Sequence, residues 1–271
     1  MRAIESDSFS LSVAERVGLG SFLVATLLLF IDVRLSAILL SGFVLICMIA
    51  PFCPRYSFYL PVISRGTSGK NAVALTFDDG PDPLMAPLLL DLLAKHDVKA
   101  TFFVTGKKAA AHPEIIKQMV RHGHSIGNHS YSHDFLVPFK GSQAIVREIE
   151  STQEVLSKLG LRPLAFRPPA GITSPRLLSA LLKTGLYLVN YSCRPFDGGN
   201  RRIRNMARKI LKRVRPDDII LLHDNRPNDE RLISHWLKEV DLTLSGLKAR
   251  GLIILPLSEL IGMPVMITEM G

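Results

Sequence analysis

Residues 73–83 read VALTFDDGPDP, and the interpretation of the whole chain starts from this stretch. A short apolar run, typical of a buried strand, stops at two adjacent carboxylates, Asp78 and Asp79, which are followed by Gly80 and Pro81. Neighbouring like charges repel each other, and desolvation increases the repulsion. A strand that ends in this way therefore needs a cation close to its end.

Further short apolar runs follow along the chain, separated by amphipathic helical patterns such as Gln143–Leu159 and Glu230–Arg250. Alternating strands and helices predict a parallel sheet, either open or closed into a barrel. The predicted strands are Val73–Thr76, Ala100–Val104, Ser125–Asn128, Ala165–Arg167, Leu186–Ser192, Ile219–His223 and Leu252–Leu255.

Polar residues stand at the carboxyl ends of these predicted strands. In parallel α/β folds the chemistry gathers at that end of the strands. We therefore expect side chains from several strands to form one site. In chain order they are Asp78, Asp79, His129, His133, Arg167, Asp197 and His223.

A divalent metal would relieve the repulsion between the two aspartates. His129 and His133 are four residues apart in HSYSH, a spacing that lets two imidazoles reach one ion if the backbone turns helically between them. Two histidines and one carboxylate form an open site for which zinc is the default and cobalt or nickel are alternatives. Such a site leaves room for a water whose pKa falls to about 7, and the other aspartate can act on it as a base.

The remaining residues fit metal-assisted hydrolysis of an acyl or a phosphoryl bond. His223 follows an apolar run and is placed to donate a proton to a leaving group, while Arg167 and Asp197 can hold the base and the acid in their working states by charge pairing. A phosphoesterase would usually need a second metal and more carboxylates. Taken singly, each motif is an ordinary turn, loop or buried histidine, and only their joint order favours a site.

The first part of the chain predicts a membrane segment. Val17–Ile31 and Leu35–Pro54 contain no charged residue, and only the second run has the roughly 20 residues that a span needs. We expect either a hairpin of two short spans that turns near Asp32 and Arg34, or one span with an interfacial piece. By the positive-inside rule the hairpin favours a cytoplasmic domain and the single span the opposite side. The apolar stretch is too long for a signal-peptide h-region.

Composition divides the chain into a membrane segment with its linker, residues 1–65, and a catalytic domain, residues 66–271. The net charge of +9 predicts attraction to anionic lipids, phosphates or acidic glycans, but no nucleic-acid motif is present. Three cysteines without a CxxC pair support neither a disulfide framework nor a thiolate metal site. The basic amphipathic stretch 200–218 predicts a helix with a solvated charged face, or a surface for anionic headgroups.

Five motifs carry a resemblance to a known family. They are TFDDGP (Thr76–Pro81), HSYSH (His129–His133), RPPAG (Arg167–Gly171), the loop at Asp197, and LLH (Leu221–His223). In order and spacing they resemble the motifs of polysaccharide deacetylases, the NodB-homology group or carbohydrate esterase family 4. The resemblance implies an α/β fold, a distorted (β/α) barrel of about seven strand–helix units. It also implies removal of N-acetyl groups from amino sugars of a bacterial envelope glycan at the cell membrane.

The resemblance implies a role for each candidate residue. Asp78 is the catalytic base, oriented by Arg167, and His223 is the general acid, tuned by Asp197. The metal ligands, for a divalent ion that is zinc by default, are Asp79, His129 and His133. The backbone amide near Ala170 faces the developing oxyanion, and Leu221 lines the pocket for the acetyl methyl group.

Two positions depart from the family pattern. Family members usually carry an aromatic residue where Ala170 stands and a tryptophan where Gly198 stands. Without these aromatic rings the site has less surface on which the sugar rings of a long polymer can stack. We therefore expect a shorter or lipid-linked amino sugar as the natural substrate. The alternatives are a deacetylase or deformylase of an undecaprenyl-linked amino sugar and a non-catalytic sugar-binding member of the family.

Overall fold

The structure, a computed structural model, describes residues 11–268. The first ten residues of the predicted membrane segment and the last three of the predicted catalytic domain lie outside the described residues. Two helices come first, α1 (Val13–Leu29) and α2 (Val33–Ile49). They pack as a hairpin in which the rings of Phe22 and Phe43 meet edge to face with their centroids 6.4 Å apart.

The hairpin turns without glycine or proline because Asp32 caps the second helix. Its Oδ1 accepts a hydrogen bond of 2.8 Å from the amide of Arg34, which satisfies one of the free N–H groups at the start of α2. Among the described residues, Val33–Phe52 is the one helical stretch that is long and apolar enough to cross a membrane by length and composition, with a mean hydropathy of 2.4.

The main sheet is parallel, as the alternation of strands and helices predicts. Its strands are connected in the spatial order β6-β5-β3-β2-β1-β7, and β8 pairs with the N-terminal end of β1. These strands are β1 (Ala72–Asp78), β2 (Thr101–Val104), β3 (Ser125–Asn128), β5 (Ala165–Phe166), β6 (Tyr187–Leu188), β7 (Ile219–His223) and β8 (Ile253–Ile254).

A small antiparallel pair, β4 (Leu161–Pro163) with β9 (Met266–Thr268), was not predicted from the sequence. Each of its strands has three residues, too few for a period-two pattern to show. The helices that connect and cover the sheet are α3 (Met85–Lys95), α4 (Gly106–Ala111), α5 (Pro113–Arg121), α6 (Ser142–Ser157), α7 (Pro175–Thr184), α8 (Met206–Arg213), α9 (Ile233–Ala249) and α10 (Leu257–Ile261).

The basic stretch 200–218 and the predicted strand Leu186–Ser192 lose the most length in the structure. The basic stretch becomes helical only at Met206, because Asn205 before it is in the left-handed region with φ 59°. The predicted strand Leu186–Ser192 keeps regular pairing only in β6. Beyond β6 it makes single parallel bridges, from Val189 to Ile63 and from Cys193 to Ile220, which bring the chain alongside β7 and close the distorted barrel.

The alternation of side chains along the strands decides what faces the barrel interior. In β1, Val73, Leu75 and Phe77 belong to the outer core, which the helices cover. Ala72 and Ala74 belong to the inner core together with Ile219 and Leu221 of β7. Continuing the period of two, Thr76, Asp78 and His223 lie on this inner face at the carboxyl end of the barrel.

Candidate active site

Asp78, the last residue of β1, forms a buried ion pair with Arg167. Arg167 Nη1 lies 2.6 Å from Asp78 Oδ1, and the two residues are 0% and 4% exposed. Arg167 also donates to Thr76 Oγ1 at 2.8 Å and to the carbonyls of Val189 and Asn190 at 3.1 and 3.0 Å. A buried charge is tolerated when it is paired and fully hydrogen-bonded. Arg167 thus fixes the orientation of the Asp78 carboxylate.

These bonds also explain why the strand after β6 is irregular. The carbonyls of Val189 and Asn190 accept hydrogen bonds from the Arg167 side chain. The Asn190 side chain in turn donates to the carbonyls of Pro54 and Gly171 at 3.0 and 3.1 Å. This part of the barrel wall uses its polar groups to hold the site.

Asp79, His129 and His133 form a cluster in which the atoms able to bind a metal lie within 4.8 Å of one another. Asp79 Oδ1 is 2.8 Å from His133 Nε2 and 3.3 Å from His129 Nε2. Burial opposes ionisation of Asp79, but hydrogen bonds from both imidazoles outweigh it and hold the pKa of Asp79 well below its usual range. This carboxylate is therefore ionised and available as a ligand.

His129 is oriented by a carbonyl group. Its Nδ1 donates to the Arg167 backbone oxygen at 2.7 Å, which leaves Nε2 to face Asp79. A hydrogen bond of this kind to the second ring nitrogen is typical of metal-binding histidines. One carboxylate and two imidazoles suit zinc and related divalent ions and leave positions open for water and substrate. The donor set thus fits a divalent metal without deciding which one.

The two histidines converge, as predicted, but the predicted reason was wrong. The backbone between them is not a helical turn: Ser130 and His133 have φ angles of 64° and 58°, in the left-handed region. Asp79 is also left-handed, with φ 72°. Such backbone costs about 1–2 kcal/mol per non-glycine residue and concentrates at functional sites. The loop geometry, not a helix, aims all three ligands at one point.

His223, at the end of β7, forms the second carboxylate pair of the site. Its Nδ1 lies 2.8 Å from Oδ2 of Asp197, which is 1% exposed. Burial of His223 lowers its pKa, but the hydrogen bond and charge of Asp197 and the charges of Asp79 and Asp78 outweigh burial and raise it to about 9. His223 is therefore protonated at neutral pH and able to give up a proton.

Three residues that support the site were not predicted from the sequence. Trp236 is fully buried, and its Nε1 donates to Asn200 Oδ1 at 2.9 Å. Asn200 Nδ2 donates to the carbonyls of His223 and Asn225 at 2.9 and 2.7 Å. These hydrogen bonds fix the loop after Asp197 to the end of β7. We call Asn200 and Trp236 with these bonds the Asn200 bracket.

The third residue is Lys108 of α4, whose Nζ donates to the Asp79 carbonyl at 2.7 Å and to Asn225 Oδ1 at 3.1 Å. None of these residues lies in a recognisable motif. Asn200 and Trp236 are 36 residues apart in the chain, so only the folded structure brings them together.

The two predicted substrate residues belong to different segments, the turn after β5 and the strand β7. Ala170 is exposed in the short helical turn Pro169–Gly171, has φ 55°, and accepts a hydrogen bond from the Tyr191 hydroxyl at 3.2 Å. Leu221 is 3% exposed and stands two residues before His223, on the same inner face.

The segment that follows α2 docks on the loop that carries Ala170. The amide of Thr173 donates to the Pro51 carbonyl at 3.1 Å, and Asn190 bridges the carbonyls of Pro54 and Gly171. The end of the candidate membrane span therefore lies directly against the site. No sequence pattern predicted this contact.

The chain is similar to proteins of known activity. Residues 65–189 match the family model described as Polysaccharide deacetylase. A chitooligosaccharide deacetylase of Azorhizobium caulinodans is 35% identical over 203 residues, which cover 72% of this chain and 96% of the relative. A peptidoglycan-N-acetylglucosamine deacetylase of Bacillus cereus is 30% identical over 196 residues, covering 72% and 90%.

The structural comparison agrees. A crystal structure of a peptidoglycan N-acetylglucosamine deacetylase aligns with a TM-score of 0.68 and 32% identity, covering 75% of this chain and 94% of that one. The family match along the sequence includes both aspartates, both clustered histidines and Arg167, whereas Asp197 and His223 lie beyond it.

Proposed function

Because this chain belongs to the polysaccharide deacetylase family, carbohydrate esterase family 4, we propose that Asp78 and His223 carry the proton transfers of N-acetylglucosamine deacetylation. The observation that carries the proposal is the pair of buried carboxylate–cation contacts, Asp78 with Arg167 and Asp197 with His223, on either side of the Asp79 cluster. The reaction converts the acetamide and water into acetate and a free amine.

Asp79, His129 and His133 would hold the divalent ion, zinc by default. When bound there, it supplies positive charge that polarises a carbonyl and acidifies water. Asp78 is the base that takes the proton of the attacking water, because Arg167 pairs with its carboxylate and fixes it at the carboxyl end of β1. The role of base belongs to Asp78 because Asp79 is already engaged by both imidazoles.

The oxyanion that forms on the acyl carbon would be stabilised by the Ala170 amide, on the exposed turn Pro169–Gly171. Leu221 is buried on the inner face and offers an apolar wall to the acetyl methyl group. His223 then donates its proton to the amine nitrogen as the C–N bond breaks. Asp197 keeps that proton available, since it raises the pKa of His223 to about 9 despite burial.

The membrane segment bears on the natural substrate. We infer that α2 anchors the protein in the bacterial cell membrane, because the chain directly after it, at Pro51 and Pro54, is bonded to the catalytic domain beside the site loop. These contacts favour an acceptor close to the lipid surface, either peptidoglycan and related oligosaccharides or a lipid-linked amino sugar. The proposed residues would act in the same way on either of these acceptors.

The direct test is acetate release by the full chain in detergent, loaded with zinc or cobalt, from short N-acetylglucosamine oligomers. Chelator-sensitive release that Asp78→Asn abolishes is the expected result. No release from a protein that retains its metal would contradict the proposal for these acceptors. Lipid-linked and N-formyl amino sugars would then be assayed with the same variants.

A further inference from the structure

An exposed aromatic ring stands beside the catalytic acid and is flanked by two arginines. Phe196 is 54% exposed and immediately precedes Asp197 in the chain. The guanidinium carbons of Arg194 and Arg213 lie 4.4 and 5.3 Å from the centre of its ring. We call these three residues the arginine–phenylalanine platform. Its ring is open to solvent, although burial of its apolar area would be favourable.

The platform is connected to both sides of the site. Arg194 Nη1 donates to the Tyr191 hydroxyl at 3.0 Å, and that hydroxyl donates to the Ala170 carbonyl at 3.2 Å. At its other end, Asp197 holds His223. The platform thus joins the loop proposed to stabilise the oxyanion to the loop that tunes the acid. A ligand seated on it would lie beside the loops that carry Ala170 and Asp197.

The two arginines of the platform form no ion pair with a carboxylate of residues 11–268. Across residues 11–268, no carboxylate oxygen lies within 4.0 Å of a side-chain nitrogen of Arg194 or Arg213. The loop and helix that follow add further basic residues, which are Arg201, Arg202, Arg204, Arg208, Lys209 and Lys212. The stretch of chain that follows the platform is therefore strongly positive and attracts anions.

We propose that this platform is a subsite for a phosphate group carried by the amino-sugar substrate. A guanidinium binds phosphate with two parallel hydrogen bonds, a geometry that favours arginine over lysine. The Phe196 ring offers a flat apolar face to the sugar or its linkage. A neutral oligosaccharide would leave both guanidinium charges without an anionic partner. The proposal specifies the substrate class of the proposed deacetylase and in that sense rests on it.

The first measurement is equilibrium binding, by calorimetry on the zinc-loaded full chain in detergent, of N-acetylglucosamine 1-phosphate and of N-acetylglucosamine. We expect the phosphorylated sugar to bind at least about tenfold more tightly, since hydrogen bonds to charged groups are the strong ones. Arg213→Gln should remove most of that preference. Arg121→Gln, the same change of charge on an exposed arginine of α5, should leave it intact.

The outcomes separate the alternatives. If Arg213→Gln still prefers the phosphorylated sugar, phosphate binds elsewhere, for example at the metal, and the proposal is wrong. Equal affinity of the wild-type protein for the two sugars would also overturn it. If Arg213→Gln only weakens adsorption to phosphatidylglycerol vesicles, the ligand is a lipid headgroup and the proposal is also wrong. Absence of acetate release from either sugar, with the binding preference intact, would refute the deacetylase and not the phosphate subsite.

Discussion

The two buried carboxylate pairs of the site share their geometry and differ in the partner of the carboxylate. Asp78 meets Arg167 at 2.6 Å, and Asp197 meets His223 at 2.8 Å. Arginine stays charged at every working pH, so Arg167 has no proton to give to the reaction and serves to pair with Asp78 and orient it. Histidine can lose its proton, so Asp197 acts on a group that itself takes part in the reaction. The partner decides which pair accepts a proton and which donates one.

The largest effect should come from the pair with arginine. Asp78→Asn removes the base and keeps the shape of the side chain, so kcat should fall by about 10³-fold. Metal content, measured by mass spectrometry after dialysis, should stay at the wild-type level. Substantial residual turnover in this variant would show that another group abstracts the proton.

The neighbouring aspartate provides the contrast, because the site assigns it to the metal. Asp79→Asn should lower zinc affinity by at least about 100-fold, more than changes to outer-shell partners cost. Excess zinc should restore part of its activity but none of the activity of Asp78→Asn. Competition with a fluorescent chelator measures the affinity. Equal zinc retention by both variants would contradict the division of roles.

The pair with histidine should be visible in the pH dependence. The pKa of His223 is raised to about 9, so the acid form persists through neutral pH and kcat/KM should fall as the pH rises through about 9. Asp197→Asn removes the charge and the accepting carboxylate, while burial, which lowers the pKa of His223, remains. The descending limb should therefore move to lower pH. A loss of activity without this shift would indicate that Asp197 is only structural.

The parts of the site differ in how far the sequence alone predicts them. The strand-end residues Asp78, Arg167 and His223 were predictable because a parallel sheet brings the carboxyl ends of its strands together. The loop that aims His129 and His133 was not, because it depends on left-handed backbone that residue spacing does not encode. The contacts that hold the pieces, such as Arg167 with the Asn190 carbonyl, arise only once the barrel closes.

The smallest effect on kcat should come from a change in the Asn200 bracket, which holds the end of β7 at His223. Trp236→Phe preserves most of the buried ring but removes the N–H that donates to Asn200 Oδ1. A buried acceptor left without its donor costs about 1–3 kcal/mol, so the free energy of unfolding in urea should fall by that amount. Because Asn200 also bonds the His223 carbonyl, kcat should fall a few-fold with the pH profile unchanged.

Leu244→Ala is the matched control for that change, since Leu244 is fully buried on the same helix, α9, and belongs to the outer core. It should destabilise the protein by about 2–5 kcal/mol without lowering kcat under conditions where the chain is folded. A kcat that falls in proportion to stability in both variants would mean that Trp236 acts through packing alone. A fall confined to Trp236→Phe would show that the Asn200 bracket positions the catalytic acid.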